Sequence, residues 1–287
     1  MLDRYVSLRV IGRGAFGEVC EARDQVTGDI VAVKKIEAPL AEHAVDVRAL
    51  FQRARALSHP NIVRLRELIE GDNLWHVVMD RIEGIDLLPY VRGDLETIER
   101  VPNIVMGQRV DDVAGFGPCS LAGLLRLRRV LPGIATGLAT LHAHRLCHRD
   151  VSAANVMIED DRPILIDLGL ASSAAVGTAQ GVAMAGAATN LPPEAGDGDP
   201  AGPEGDWYAL GVLLFEMLTG GQPFSGSAQE VMIKKRTVRA PRPSFVVASV
   251  PPDLDDLCDR LLERSPKLRA SAQEVLERLR RGEGSTT

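Results

Sequence analysis

The sequence predicts an α+β fold, with a small antiparallel sheet at its N-terminal end and a mainly helical remainder. Three observations predict it. Apolar residues alternate over Tyr5–Ile11, Val19–Ala22 and Ile30–Val33, the period of strands with one buried face. Short glycine-rich or polar turns join these runs, which favours antiparallel neighbours. Beyond Leu121 the period changes, and Leu124, Leu127, Leu131, Ile134, Leu138 and Leu141 fall on one broad helical face.

The elements follow in order. Asp24 to Asp29 reads as a turn between the second and third strands. Leu74–Asp80 reads as a further strand. The helix from Leu121 to His144 contains Pro132, which is expected to bend it. Asp206-Trp207-Tyr208-Ala209-Leu210-Gly211 opens an apolar helix that continues over Val212–Leu218 and stops at Gly220, the residue type that tolerates a left-handed helix end. Between the strands and the helices, Gly93 to Ser120 is rich in Gly, Pro and charge and reads as an insertion.

Composition narrows the class. With 287 residues, the chain can form one large domain or two lobes. The hydrophobic fraction is 45% but the aromatic fraction only 4%, so aliphatic side chains must fill the core. A net charge of -6 leaves no basic field for a nucleic-acid partner. Cys20, Cys119, Cys147 and Cys258 are widely spaced and form no zinc pattern with the scattered histidines; free thiols in a cytoplasmic setting are expected. No apolar run approaches the ~20 residues of a membrane span, and Met1-Leu2-Asp3-Arg4-Tyr5 does not read as a signal peptide.

The chemistry concentrates in His148-Arg149-Asp150-Val151-Ser152-Ala153-Ala154-Asn155 and in Asp167-Leu168-Gly169. An acid and an amide lie five positions apart, and a second acid follows the apolar run Ile164–Ile166. One carboxylate can take the proton of an acceptor hydroxyl, while Asn155 and Asp167 offer hard oxygen ligands to magnesium around a nucleotide triphosphate. Alone, the string also suits a polar turn between two strands. Upstream, Gly12-Arg13-Gly14-Ala15-Phe16-Gly17-Glu18-Val19 sits between two strands, not between a strand and a helix, so it does not fit a dinucleotide fold. Lys34 ends the β-branched run Val31-Ala32-Val33, and Lys35 points to the opposite face.

Together these motifs resemble the eukaryotic-type protein kinases, in particular bacterial serine/threonine kinases, over residues 3–280. The resemblance implies a bilobal fold: an N-lobe over 3–80, a hinge over 80–86, a C-lobe over 87–280 with the insertion at 93–120, and a tail over 281–287. It implies ATP and Mg²⁺, with transfer of the γ-phosphate to Ser or Thr hydroxyls of a protein substrate. By carry-over, Asp150, Lys34 and Asn155 are the catalytic residues: Asp150 orients the acceptor hydroxyl and accepts its proton, and Lys34 grips the phosphates. Gly12, Gly14, Gly17, Val19, Ala32, Met79, Asp80, Ile82, Asp86 and Met157 line the nucleotide site, with Met79 as gatekeeper and Asp86 at the ribose. Asn155 and Asp167 hold the metal. Asp206 is expected to bond the catalytic-loop backbone, and Pro192-Pro193-Glu194 to close the activation segment with Glu194 paired to Arg269. A regulatory partner or fused domain is a further expectation.

The chain departs from the family pattern. The lysine's usual helix glutamate, nine residues before His59 of His59-Pro60-Asn61, is Leu50; Asp46, one turn away, is the substitute candidate, with Glu42 beyond it. Ser152 stands where serine/threonine kinases carry Lys, Ala187 where they carry Thr, and Leu168 where they carry Phe. These absences also suit a pseudokinase or a weakly active ATP-binding module. The segment Ser172–Thr189, dominated by Ala and Gly, is expected to be regulated only weakly by phosphorylation, with Thr178 its favoured acceptor.

Overall fold

The computed structural model describes residues 4–14, 17–39, 41–93, 117–168, 189–197 and 202–283. The first lobe is a sheet of β1 (Tyr5–Gly14), β2 (Gly17–Asp24), β3 (Ile30–Glu37), β4 (Leu65–Ile69) and β5 (Leu74–Asp80), with α1 (Ala41–Arg55) between β3 and β4. The strand order is β1-β2-β3-β5-β4, and every pairing is antiparallel. β3 is central, with Lys34 opposite Val19 on one side and Val77 on the other. Side chains alternate across it. Val31 and Val33 join Tyr5, Ala22 and Val78 on the outer face, whereas Ala32 and Ile36 belong to the main core. The buried stripe of α1 is Ala44, Val47, Phe51 and Ala54, spaced by three and four as a one-sided helix requires.

The second lobe begins with β6 (Ile85–Asp86), α2 (Leu87–Arg92) and α3 (Leu121–Ala143). It continues through β7 (Val156–Glu159), β8 (Arg162–Leu165), α4 (Pro203–Thr219), α5 (Ala228–Thr237), α6 (Pro243–Val246), α7 (Pro252–Leu261) and α8 (Ala272–Glu283). β6, β7 and β8 form a three-stranded antiparallel sheet. α3 starts where the sequence predicts, because the Ser120 hydroxyl accepts from the Gly123 N–H at 3.0 Å. Its expected last residue, His144, is instead the cap. α4 forms the centre of this lobe. Pro203 opens it, Gly220 stops it at φ 80°, and its side chains are buried almost throughout. Each large apolar side chain it buries contributes about 1.5–3 kcal/mol.

One turn of the first lobe is bonded to the second. Asn61 donates its Nδ2 to the Pro163 carbonyl at 2.7 Å, its carbonyl accepts from Leu165 N at 2.9 Å, and Val63 N donates to Leu165 O at 2.9 Å. α3 permits this approach because it carries Gly137 there: a Cβ would lie 2.8 Å from Leu165 Cδ1 and 3.2 Å from the Asn61 carbonyl.

Residues 94–116 of the insertion, Gly169, Ala187 and the activation segment through residue 188 lie outside the described residues. Among those described, no helix is long and apolar enough to cross a membrane.

Candidate active site

A cleft of about 660 Å³ separates the lobes. Ile11, Val19 and Ala32 form its roof, Met79 to Asp86 its back, and Met157 and Ile166 its floor. Of the residues predicted for the nucleotide, Val19, Ala32, Lys34, Met79, Asp80, Ile82, Asp86 and Met157 all line it, and so does Asp167. Opposed apolar walls with a few polar groups suit a planar base and its sugar. Burial pushes the Asp86 carboxyl upward. Behind Met79 a void of about 10 Å³ is closed by Leu168, which packs there as an ordinary core residue in place of the family's Phe.

The three glycines of the loop lie at the turn end of the β1–β2 hairpin, with Gly12 opposite Val19 and Gly14 opposite Gly17. Gly17 is required sterically. Its φ is 127°, and a Cβ there would sit 1.9 Å from the Lys35 carbonyl of β3. Lys35 itself turns away from the cleft and pairs with Glu18 at 2.8 Å.

Lys34 is buried on β3 and donates to Asp167 Oδ2 at 2.5 Å. The helix acid proposed from spacing does not take this place. Asp46 is exposed and makes no ion pair among the described residues. At 100° per residue it lies roughly 120° around α1 from the centre of the buried stripe. Leu50, at the family's glutamate position, is partly buried against the core. Nothing of the Glu42 side chain falls within the described residues.

Asn155 donates its Nδ2 to both the carbonyl and Oδ2 of Asp150, at 2.9 and 2.8 Å. That fixes the amide orientation and leaves Asn155 Oδ1 as the acceptor. Burial, and then the neighbouring Asp167 charge, raise the Asp150 carboxyl above its ordinary range. The loop is held from below by Asp206 of α4, which is 2% exposed. Its two oxygens accept from His148 N at 2.7 Å and Arg149 N at 2.8 Å, and His142 Nε2 approaches one of them at 2.8 Å. Arg149 and Asp167 sit at φ 65° and 63°, left-handed conformations that non-glycine residues hold only when their surroundings enforce them. Lower in the lobe, Arg269 forms a fork on Glu194, at 2.8 and 3.0 Å, and stacks 5.0 Å from the Tyr208 ring centre.

A protein kinase domain model matches residues 5–279. The chain belongs to the protein kinase family. Similar proteins include the serine/threonine-protein kinase PkaA of Streptomyces coelicolor, 33% identical over 97% of this chain and 50% of that protein. The serine/threonine-protein kinase PrkC of Bacillus subtilis is 29% identical over 96% of this chain and 39% of its own length. PknB of Mycolicibacterium smegmatis, also a serine/threonine-protein kinase, is 30% identical over 92% of this chain and 40% of its own length. The chain thus spans half or less of the length of these relatives. Membership in the kinase family brings the bilobal fold and the general use of ATP with a divalent metal.

The kinase site also contains residues that sequence reasoning missed. Ile11, Val63, Ile85, Tyr90 and Ile166 line the cleft. Ile11 and Ile166 each end an apolar run that the sequence did show. Arg9 and Arg81 both donate to Glu21, and so fence the cleft mouth with charge. His142 and Lys235 gave no local signal, because their partners are 64 and 44 to 46 residues away.

Proposed function

We propose that this kinase transfers the γ-phosphate of ATP to Ser or Thr hydroxyls of proteins. One observation carries the reading: Lys34 and Asp167 pair in the cleft, and the Asp150–Asn155 pair is tied to the strand end beside them through Ile166. Lys34 bonds Asp167 at 2.5 Å, and Asn155 bonds Asp150 while its carbonyl accepts from Ile166 N at 3.0 Å. The names of the bacterial relatives support the Ser/Thr assignment.

The oxygens present suit magnesium. Asn155 and Asp167 are hard oxygen ligands, and this ion binds through one or two such groups together with substrate phosphates. When bound, the metal supplies positive charge against the charge that develops on the phosphoryl oxygens. The chain's own residues do the rest. The lobes enclose the nucleotide, with Met79, Asp80 and Ile82 along the base and Asp86 toward the sugar. Lys34 holds phosphate oxygens by its ammonium. Asp150 orients the acceptor hydroxyl and receives its proton, and its raised carboxyl is a better base than a free aspartate. Asn155 keeps that carboxylate in place.

A protein acceptor is the substrate, and a regulatory partner or fused region is proposed from the greater length of the relatives. A net charge of -6 supports no nucleic-acid role, and the four free cysteines support a cytoplasmic setting. The test is incubation with radiolabelled ATP, magnesium and generic protein substrates, comparing wild type with Asp150→Asn. Label that depends on Asp150 supports the proposal. An ATP-dependent rise in melting temperature without any label would replace it by a binding module.

A further inference from the structure

A second cavity, of about 440 Å³, shares Val63, residues 80–82 and Glu159 with the nucleotide cleft, while its other walls are its own. Both lobes build it. Arg64 and Arg66 flank Leu65 at the start of β4, and the alternation that turns Leu65 into the core sends both arginines to the cavity wall. From the second lobe come Arg162 and Ile164 of β8. Ile30, Leu57 and Ile62 add apolar surface. Such a volume, with apolar walls and a few polar groups, is that of a small-molecule site.

The whole chain carries a net charge of -6, yet four arginines and only two acids line this cavity. Both acids are engaged: Asp80 accepts from Arg66 Nε at 2.5 Å, and Glu159 accepts from Arg162 at 2.7 Å. Arg81 is held by Glu21 at 3.0 Å, and Arg66 also reaches Asp29 at 2.7 Å. Arg64 is different. It is exposed, and its side chain has no hydrogen bond or ion pair among the described residues. A guanidinium carries five N–H donors, so Arg66 and Arg162 keep donors to spare. Several guanidinia around one concavity match a phosphate monoester, with its three oxygens, better than a carboxylate, which a single fork satisfies. We propose that this cavity is a second ligand site, for a small organic phosphate: Arg64, Arg66 and Arg162 hold its phosphate, and Ile30, Leu57, Ile62 and Ile164 take its apolar body.

An occupant there would act on the nucleotide. The Arg64 carbonyl accepts from Asp80 N at 3.0 Å, and Arg66 holds the Asp80 carboxylate. Asp80 in turn lines the nucleotide cleft. A ligand that engages both arginines therefore bears on a residue at the base, and by linkage each ligand changes the affinity of the other by the same factor.

The test titrates 2-naphthyl phosphate into the full chain by calorimetry, with the nucleotide cleft saturated by magnesium and a non-hydrolysable ATP analogue. Wild type should bind one equivalent. Arg64→Ala and Arg162→Ala should each weaken binding about ten-fold, with melting temperatures close to wild type because both side chains lie at the surface. If Arg162→Ala proves unstable, Arg64→Ala decides alone. 2-Naphthol, which lacks the phosphate, and inorganic phosphate, which lacks the apolar body, should each bind at least about ten-fold more weakly than the ester. The affinity of the ATP analogue should change at least about two-fold when the ester is saturating. Binding that disappears once the analogue is present, or that is the same in Arg64→Ala as in wild type, overturns the inference. So does binding of a phosphoserine peptide with none of the ester, which would give the cavity to a protein partner. Ester binding needs no phosphotransfer: a chain that binds it as expected but labels no protein overturns the kinase reading and supports this one.

Discussion

Asp206 is the residue whose removal should cost the second lobe most for the fewest atoms lost. Its carboxylate takes two backbone N–H groups of the catalytic loop, at 2.7 and 2.8 Å, and is itself 2% exposed. Hydrogen bonds to a charged acceptor are worth about 1.5–3 kcal/mol each, and an orphaned buried donor costs a similar amount. In Asp206→Ala both donors lose their acceptor, so the expected loss is about 3–5 kcal/mol. Asp206→Asn keeps one acceptor oxygen, and about half of that loss is expected. A domain stability of roughly 5–15 kcal/mol leaves most such variants folded at room temperature. Urea titration followed by circular dichroism is the assay. With a slope of about 2–3 kcal/mol/M, the alanine midpoint should fall by about 1–2 M. Arg149 would lose the clamp that holds it at φ 65°, so turnover should fall alongside stability. An alanine variant within about 1 kcal/mol of wild type would refute the reasoning.

Other outcomes are expected. Asp167→Ala should stay folded, with a melting temperature lowered by loss of the Lys34 pair, but lose more than nine-tenths of phosphotransfer, a barrier increase above about 1.4 kcal/mol; higher residual turnover would remove Asp167 from the metal site. Asp46→Ala should stay within about two-fold of wild-type kcat/KM, since the residue is exposed on α1; a large loss would restore it as the partner of Lys34. Gly17→Ala must resolve a 1.9 Å contact with the Lys35 carbonyl, so the ATP KM should rise and the melting temperature fall; unchanged values would mean that the hairpin shifts freely. Hydrogen bonding from Arg4 holds the Asp24 carboxyl well below its ordinary range. Its stabilisation is therefore complete above about pH 4 and is lost as the pH falls further, through the folded-state value. Acid titration of Asp24→Asn should show a shallower loss of stability below that pH, and an acid limb identical to wild type would contradict it.

The framework of the fold was legible because it rests on local period. Alternation gave β1, β2 and β3, the run Leu74–Asp80 read as the strand that is β5, and the leucine face gave α3. β4 escaped because Leu65-Arg66-Glu67-Leu68-Ile69 alternates poorly, and its pairing with β5 contains a register shift. Most of the candidate site was legible for a different reason: its motifs are short, and their residues are close in the chain. The error over Asp46 came from counting helical turns back from His59 without asking which face α1 buries. The spacing of Ala44, Val47, Phe51 and Ala54 already contained the answer. Lys235 could not have been found that way. One of only five lysines, it follows another lysine in an ordinary helix, and only the tertiary fold brings Thr189 and Leu191 to it.

The bonds of Asn61 with Pro163 and Leu165 make the division between the lobes different in space from the division along the sequence. The turn His59–Val63 belongs to the first lobe by position in the chain but is anchored to β8. A rotation that opened the cleft would therefore have to bend the chain at three places: between β5 and α2, between the end of α1 and His59, and between Val63 and β4. The anchored turn is the fulcrum, and α1 is the lever arm that leaves it. Any partner that pulled on α1 would transmit torque to the sheet carrying Lys34 without having to reach the nucleotide.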